Sequence, residues 1–175
     1  MSSDRVDWRK LIRDVQDFPA PGILFKDIAP VLADAAALAA MTDELVEVCR
    51  GERVDMVVAV EARGFILGAP VALALAAGFV PVRKPGKLPH LTRSVAYALE
   101  YAEAVLHMHT DALQPGDRVL IVDDVLATGG TLAAAAQLVR ESGADPVAAA
   151  VLLEITALNG RAALAPLPVH VLQSV

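Results

Sequence analysis

The stretch VLIVDDVLATGGT, Val119 to Thr131, restricts what this chain can become more than any other. It opens on a continuous apolar run, Val119 to Val122, as expected for a strand buried on both faces of a parallel sheet. Two adjacent acids then stand at the C-terminal end of that strand, where open α/β sheets place their ligands, and a Gly-rich turn opens a helix. Ala127, Thr128, Gly129, Gly130 and Thr131 offer consecutive backbone N–H groups, two hydroxyls and the positive end of a helix, which together suit a monophosphate. Asp123 and Asp124, just before this cup, can accept hydrogen bonds from the 2′ and 3′ hydroxyls of a ribose. A blander reading makes the acids helix caps and the glycines a tight turn. It accounts for each residue singly and leaves their combination unexplained, so a phosphorylated sugar is the ligand the segment fits.

The rest of the chain alternates helix and strand around this segment. Asp4 to Val15 has helical spacing up to the breakers Pro19, Pro21 and Gly22, and a second helix runs from the N-cap Asp34 to Arg50, with Gly51 as its C-cap. Met56 to Val60 and Phe79 to Val82 read as strands on either side of a helix from Gly64 to Ala77. Arg83 to Arg93 has no periodicity and reads as a long loop. Tyr97 to Tyr101 and Ala104 to His109 read as extended, and the turn Gln114-Pro115-Gly116-Asp117 precedes Val119. After the helix that ends near Ser142-Gly143 come a strand at Val147 to Leu153, a short helix near Leu158 to Leu164 and an extended segment from Val169. This order predicts an α/β fold with a mostly parallel central sheet flanked by helices. At 175 residues, 55% of them hydrophobic, the chain is the size of a single domain, 1–175.

Charge and composition exclude other classes. A net charge of −6 argues against a nucleic-acid surface, and no apolar run approaches the roughly 20 residues of a membrane span. The N-terminal residues lack the apolar core of a signal peptide, which points to the cytoplasm, and the lone Cys49 reads as a buried structural thiol. Anions must therefore be held by local features. Glu61-Ala62-Arg63-Gly64 follows a strand and opens a helix, so its amides and guanidinium can meet a second anion there; the alternative is a local Glu61–Arg63 surface ion pair. Arg83, Lys84, Lys87, His90 and Arg93 concentrate positive charge in the loop of an otherwise acidic protein.

The Val119 to Thr131 segment resembles the donor-binding motif of type I phosphoribosyltransferases. FPAPGILFKDIAP (Phe18 to Pro30), VEARGFILGAPVA (Val60 to Ala72), FVPVRKPGKLP (Phe79 to Pro89) and YALEY (Tyr97 to Tyr101) narrow the resemblance to the adenine-using members. It implies formation of AMP and pyrophosphate from adenine and phosphoribosyl pyrophosphate in purine salvage. Asp123, Asp124 and Ala127 to Thr131 would hold the ribose 5-phosphate, and Ala62, Arg63, Gly64, Lys84 and Lys87 the pyrophosphate. Glu100 would be the acid/base at the purine imidazole, although by alternation alone it is a solvated strand residue. Phe25, Lys26 and Leu126 would meet the adenine; for Phe25 and Leu126 a plain core role competes. Mg²⁺ would enter with the donor rather than in a dedicated protein site. His90 and Arg93 depart from the family pattern and read as solvated loop residues, while His107 and His109 read as structural. The resemblance also implies a homodimer. Two further readings remain at this point: an enzyme for another purine such as xanthine or guanine, and a non-catalytic sensor of phosphoribosyl pyrophosphate.

Overall fold

The computed structural model describes residues 6–98 and 103–175. Contacts divide the chain into two compact units, Met1–Glu44 and Leu45–Val175.

In the first unit the described residues of the expected Asp4 to Val15 helix, from Val6 on, do not form one. Trp8–Leu11 is a single 3-10 turn, and the chain then enters β1 (Arg13–Gln16), which pairs antiparallel with β2 (Leu24–Asp27). Cross-strand charge pairs explain the preference: Arg13 meets Asp27, and Lys26 Nζ lies 2.7 Å from Asp14 Oδ1. Trp8 is fully buried and its indole N–H donates to Glu44 at 2.8 Å, which anchors the 3-10 turn. The short α1 (Ala29–Ala33), which helical spacing did not announce, begins where the Ala29 N–H donates to Asp27 Oδ1. α2 (Ala35–Cys49) starts as expected, with Asp34 Oδ1 accepting from Ala36 N–H at 3.0 Å and Ala37 N–H at 2.9 Å. Its end differs. The helix closes when the Glu52 N–H turns back to the Cys49 carbonyl, and Gly51 is not left-handed.

The second unit is built on a five-stranded, all-parallel sheet: β3 (Met56–Val60), β4 (Gly78–Val82), β7 (Arg118–Leu126), β8 (Asp145–Glu154) and β9 (Val169–Ser174), in the order β4-β3-β7-β8-β9. β5 (Thr92–Ala98) and β6 (Glu103–His109) form a separate antiparallel pair, tied to the end of β4 by the bridge Arg83↔His107. α3 (Arg63–Ala74) and α4 (Gly130–Glu141) connect β3 to β4 and β7 to β8. The last expected helix consists of two 3-10 turns, Thr156–Leu158 and Gly160–Ala163.

β7 is longer than its apolar run. It continues through both acids to Leu126, because pairing with β8 holds it in the ladder as far as Leu126 opposite Glu154. The core lies along these strands, with Val58, Val119, Ile121, Ala149 and Val151 fully buried beside Leu132, Leu138 and Val139 of α4. Cys49 is buried, and that burial, helped by the charge of Glu52, pushes its thiol up to about 12.

α3 approaches the sheet through glycine. A Cβ on Gly68 would stand 2.6 Å from the Ala59 Cβ and 3.3 Å from the Phe79 ring. Gly68→Ala is therefore expected to overpack this contact and cost about 1–3 kcal/mol, read as a lower midpoint in urea unfolding, with circular dichroism unchanged at zero denaturant.

Candidate active site

Strand order reverses between β3 and β7: the chain leaves β3 for β4 on one side and β7 for β8 and β9 on the other. Such a switch point opens a crevice at the C-terminal ends of the two strands. Ala59 lies opposite Val122 in register, so the Glu61-Ala62-Arg63 turn and the Asp123-Asp124 pair emerge side by side. A cleft of about 230 Å³ opens there, lined by Glu61, Ala62, Arg63, Lys84, Asp123, Asp124 and Thr131 together with Tyr97. A wider hollow of about 600 Å³ lies near Asp145, Pro146, Pro166 and Pro168, where β8 begins. It is lined chiefly by prolines and small apolar residues and brings no such set of polar groups together.

Both helices that point into the crevice start without a capping side chain. The N-cap of α3 is Ala62 and that of α4 is Gly129, where serine or aspartate would ordinarily occupy the first-turn N–H groups. In α3 the Phe65 N–H turns back to the Ala62 carbonyl at 3.2 Å; the other first-turn amides carry the positive end of each helix dipole, a setting that suits an anion. Gly129 has φ +87°, a left-handed conformation, and a Cβ there would collide with the Gly160 carbonyl at 2.4 Å. Gly64 brings α3 down onto the acids, since a Cβ would stand 3.0 Å from the Val122 carbonyl and 3.1 Å from Asp123 Oδ1.

The acids themselves are 9% and 5% exposed. Asp124 N–H donates to Asp123 Oδ1 at 2.9 Å, and Arg63 Nε lies 2.8 Å from Asp124 Oδ2 as an ion pair. Burial, reinforced by the neighbouring Asp124 charge, pushes the Asp123 carboxyl well above the usual carboxylate range, against the pull of the Asp124 amide and Arg63. Glu61 behaves differently. Burial raises its pKa, but hydrogen bonds from the Lys84 N–H and Arg83, with the charges of Arg83 and Lys87, outweigh that and hold it below the ordinary value.

The structure thus brings Ala62, Arg63, Gly64, Lys84, Asp123, Asp124 and Thr131 together. The local Glu61–Arg63 pair is replaced by two others, Glu61 with Arg83 and Arg63 with Asp124. Ala127 and Thr128 stand between β7 and the α4 N-cap, Ala127 half-buried and Thr128 exposed, and Gly130 is the first residue of α4. Lys87 is exposed on the loop, where its carbonyl accepts from Arg83 Nη1 at 3.0 Å. Leu126 is fully buried, in the core cluster. In the first unit Phe25 is half-buried and packs edge-on against Phe18, with centroids 5.1 Å apart, and Lys26 is engaged with Asp14. Glu100 lies outside the described residues.

His107 Nδ1 is 2.9 Å from the Thr92 hydroxyl, and the ring of His109 meets that of His90 edge-on. Among the described residues no group of three or more His, Cys, Asp or Glu could hold a metal ion, and no helix is long and apolar enough to cross a membrane. Sequence reasoning did not single out Tyr97, whose Oη lies 3.4 Å from Thr131 Oγ1, nor Glu61 as the acid that orders Arg83 and the Lys84 amide. The alternation that sets Tyr97 on one face of its strand was a usable signal for the first. The second depends on β4 ending beside β3 and had none.

Comparison with known proteins agrees with this geometry. Residues 25–164 match the family model of the phosphoribosyl transferase domain. An adenine phosphoribosyltransferase of a Nocardioides species is 59% identical over 169 residues, covering 94% of this chain and 91% of that protein. The crystal structure of adenine phosphoribosyltransferase from Thermoanaerobacter pseudethanolicus superposes with a TM-score of 0.94 at 47% identity, covering 95% of this chain and 97% of that one. The Saccharomyces cerevisiae enzyme, solved with D-2,5-dideoxy-2,5-imino-altritol 1,6-bisphosphate and adenine, superposes at 0.89 with 36% identity, covering 95% and 96%. The chain belongs to the phosphoribosyltransferase family, among its adenine phosphoribosyltransferases.

Proposed function

We propose that the crevice at the switch point transfers the phosphoribosyl group of phosphoribosyl pyrophosphate to adenine, releasing AMP and pyrophosphate in purine salvage. The observation that carries this is the meeting of two uncapped helix N-termini around a buried acid pair at one sheet edge. One anion site for the 5-phosphate and one for the pyrophosphate, with carboxylates between them for ribose hydroxyls, is the charge pattern of that donor. The cup Ala127, Thr128, Gly129, Gly130 and Thr131 takes the 5-phosphate; Asp123 and Asp124 grip the ribose; Ala62, Arg63 and Gly64, with Lys84 and Lys87, take the pyrophosphate. Arg63 then exchanges its Asp124 partner for the incoming anion.

Departure of pyrophosphate leaves oxocarbenium character on the ribose. Stabilisation of that charge by preorganised groups is the main catalytic task, and exclusion of water protects the reactive sugar. Glu100 handles the proton at the purine imidazole. Phe25, Lys26 and Leu126 are the residues assigned to the adenine. The Saccharomyces relative was solved in complex with adenine and a bisphosphate, which supports the base assignment. Mg²⁺ would enter with the donor and would neutralise part of the pyrophosphate charge, without a dedicated set of protein ligands. Arg63, Lys84 and Lys87 supply the remaining countercharge.

The chain works as a homodimer in the cytoplasm. Ile66 and Leu73, two turns apart on α3, are 45% and 82% exposed, a patch suited to a second copy. A buried free thiol fits a reducing compartment. Leu73→Glu is expected to move the protein from dimer to monomer in sedimentation at micromolar concentration.

Two experiments test the site. Pyrophosphate release with Mg²⁺ and the donor is expected with adenine and not with guanine, hypoxanthine or xanthine, and Glu100→Gln should lower kcat by about 10²–10⁴; turnover of another base would refute the adenine reading, and binding of the donor without any reaction would point to a sensor. The Asp123 carboxyl, raised in the folded state, binds more protons there than in the unfolded chain, so its ionisation lowers stability as pH climbs from the ordinary carboxylate pKa. Asp123→Asn is expected to raise Tm at pH 7 by about 2–4 °C, with the gain vanishing toward pH 4 and with donor binding weakened. A Tm gain independent of pH would refute the assignment of that charge.

A further inference from the structure

We propose that Arg161, through its two-pronged ion pair with Glu154, is a positioning residue for the phosphate cup; this rests on the reading of Ala127 to Thr131 as the 5-phosphate site. The cup is not self-supporting. Its left-handed residue, Gly129, lies against the 3-10 turn Gly160–Ala163: the Gly160 carbonyl stands 2.4 Å from where a Gly129 Cβ would be, and a Cβ on Gly160 would fall 2.2 Å from the Ala127 carbonyl. Two backbones therefore touch with no side chain between them. The direction of the cup's N–H groups depends on where Gly160 is held.

Arg161, the next residue, does the holding. Its Nε donates to Glu154 Oε1 at 2.8 Å, its Nη2 to Glu154 Oε2 at 3.0 Å, and its Nη1 to the Val169 carbonyl at 3.0 Å. Glu154 is 6% exposed and ends β8, opposite Leu126 in register, and the Ile155 N–H donates to the Leu126 carbonyl at 2.9 Å. The chain thus closes a ring: from Leu126 through the cup to Gly160, from Arg161 to Glu154, and across the ladder back to Leu126. A guanidinium fork on a carboxylate fixes orientation as well as distance, which lysine cannot do. Loosening one link lets Gly160 withdraw and the cup amides swing, and a displacement on the order of 1 Å at such a site costs up to about a hundredfold.

The test measures ribose 5-phosphate binding by calorimetry and the KM for each substrate in Arg161→Ala, Arg161→Lys, Glu154→Gln and the Arg161→Ala/Glu154→Gln double variant. Ribose 5-phosphate affinity and the donor KM should worsen roughly tenfold or more in Arg161→Ala, with adenine KM nearly unchanged. Arg161→Lys should fall between wild type and Arg161→Ala, and the double variant should be no worse than the worse single. If Arg161→Ala does not fold, Arg161→Lys carries the same comparison. A lower melting temperature with unchanged ribose 5-phosphate affinity would reduce the pair to a structural staple and overturn the proposal. Thr131→Ala and Gly129→Ala separate the premises: weakened binding in these with none in Arg161→Ala refutes the positioning role alone, whereas unchanged binding in all of them refutes the cup assignment and the proposal with it.

Discussion

Parallel pairing of β3 with β7 is the constraint on which the second unit depends. Met56 opposite Val119 and Ala59 opposite Val122 put the end of β3 level with the acids of β7, and each strand leads through a short turn into a helix. Two helix starts therefore face one crevice, and the acids that end the apolar run of β7 stand beside both. Ala62 and Gly129 offer no side chain to cap those helices. A slip of one residue between β3 and β7 would turn Asp123 and Asp124 relative to Arg63 and separate the parts of the site.

Glycine sets how closely these parts approach. Gly68 lets α3 lie on Ala59, Gly64 lets its first turn reach Asp123, and Gly129 and Gly160 let the turn before α4 rest on the turn that follows β8. These approaches are close to neighbouring backbone or to packed side chains such as Asp123, Phe79 and Leu126, so they transmit position with little slack. The electrostatics follow from the same closeness. Asp123 is driven toward its protonated form because it is buried next to Asp124, whereas Glu61 keeps its charge because β4 delivers Arg83 and the Lys84 amide to it. One acidic protein thus lines a single cleft with both acidic and basic side chains.

Much of this was legible beforehand because it is local. The apolar run of Val119 to Val122, the Asp34 N-cap and the α3 and α4 segments follow from periodicity and capping chemistry, which act within a few residues. The N-terminal segment was misread because its apolar spacing is helical while the Arg13–Asp27 and Lys26–Asp14 pairs across a hairpin favour strands. Spacing carries no information about a partner more than ten residues away.

By itself the sequence determined the α/β class, the strand–acid–glycine segment at Val119 to Thr131 and the family it belongs to, since each is written in consecutive residues. Only the tertiary structure decided that Arg63 pairs with Asp124 rather than Glu61, that Glu61 instead orders Arg83, that β7 runs on through both acids, and that Gly129 rests against Gly160, beside the Arg161–Glu154 ion pair. Those facts depend on which strands lie side by side. Strand order is a property of the whole sheet, set by the burial of many apolar faces at once, and no single stretch of sequence encodes it.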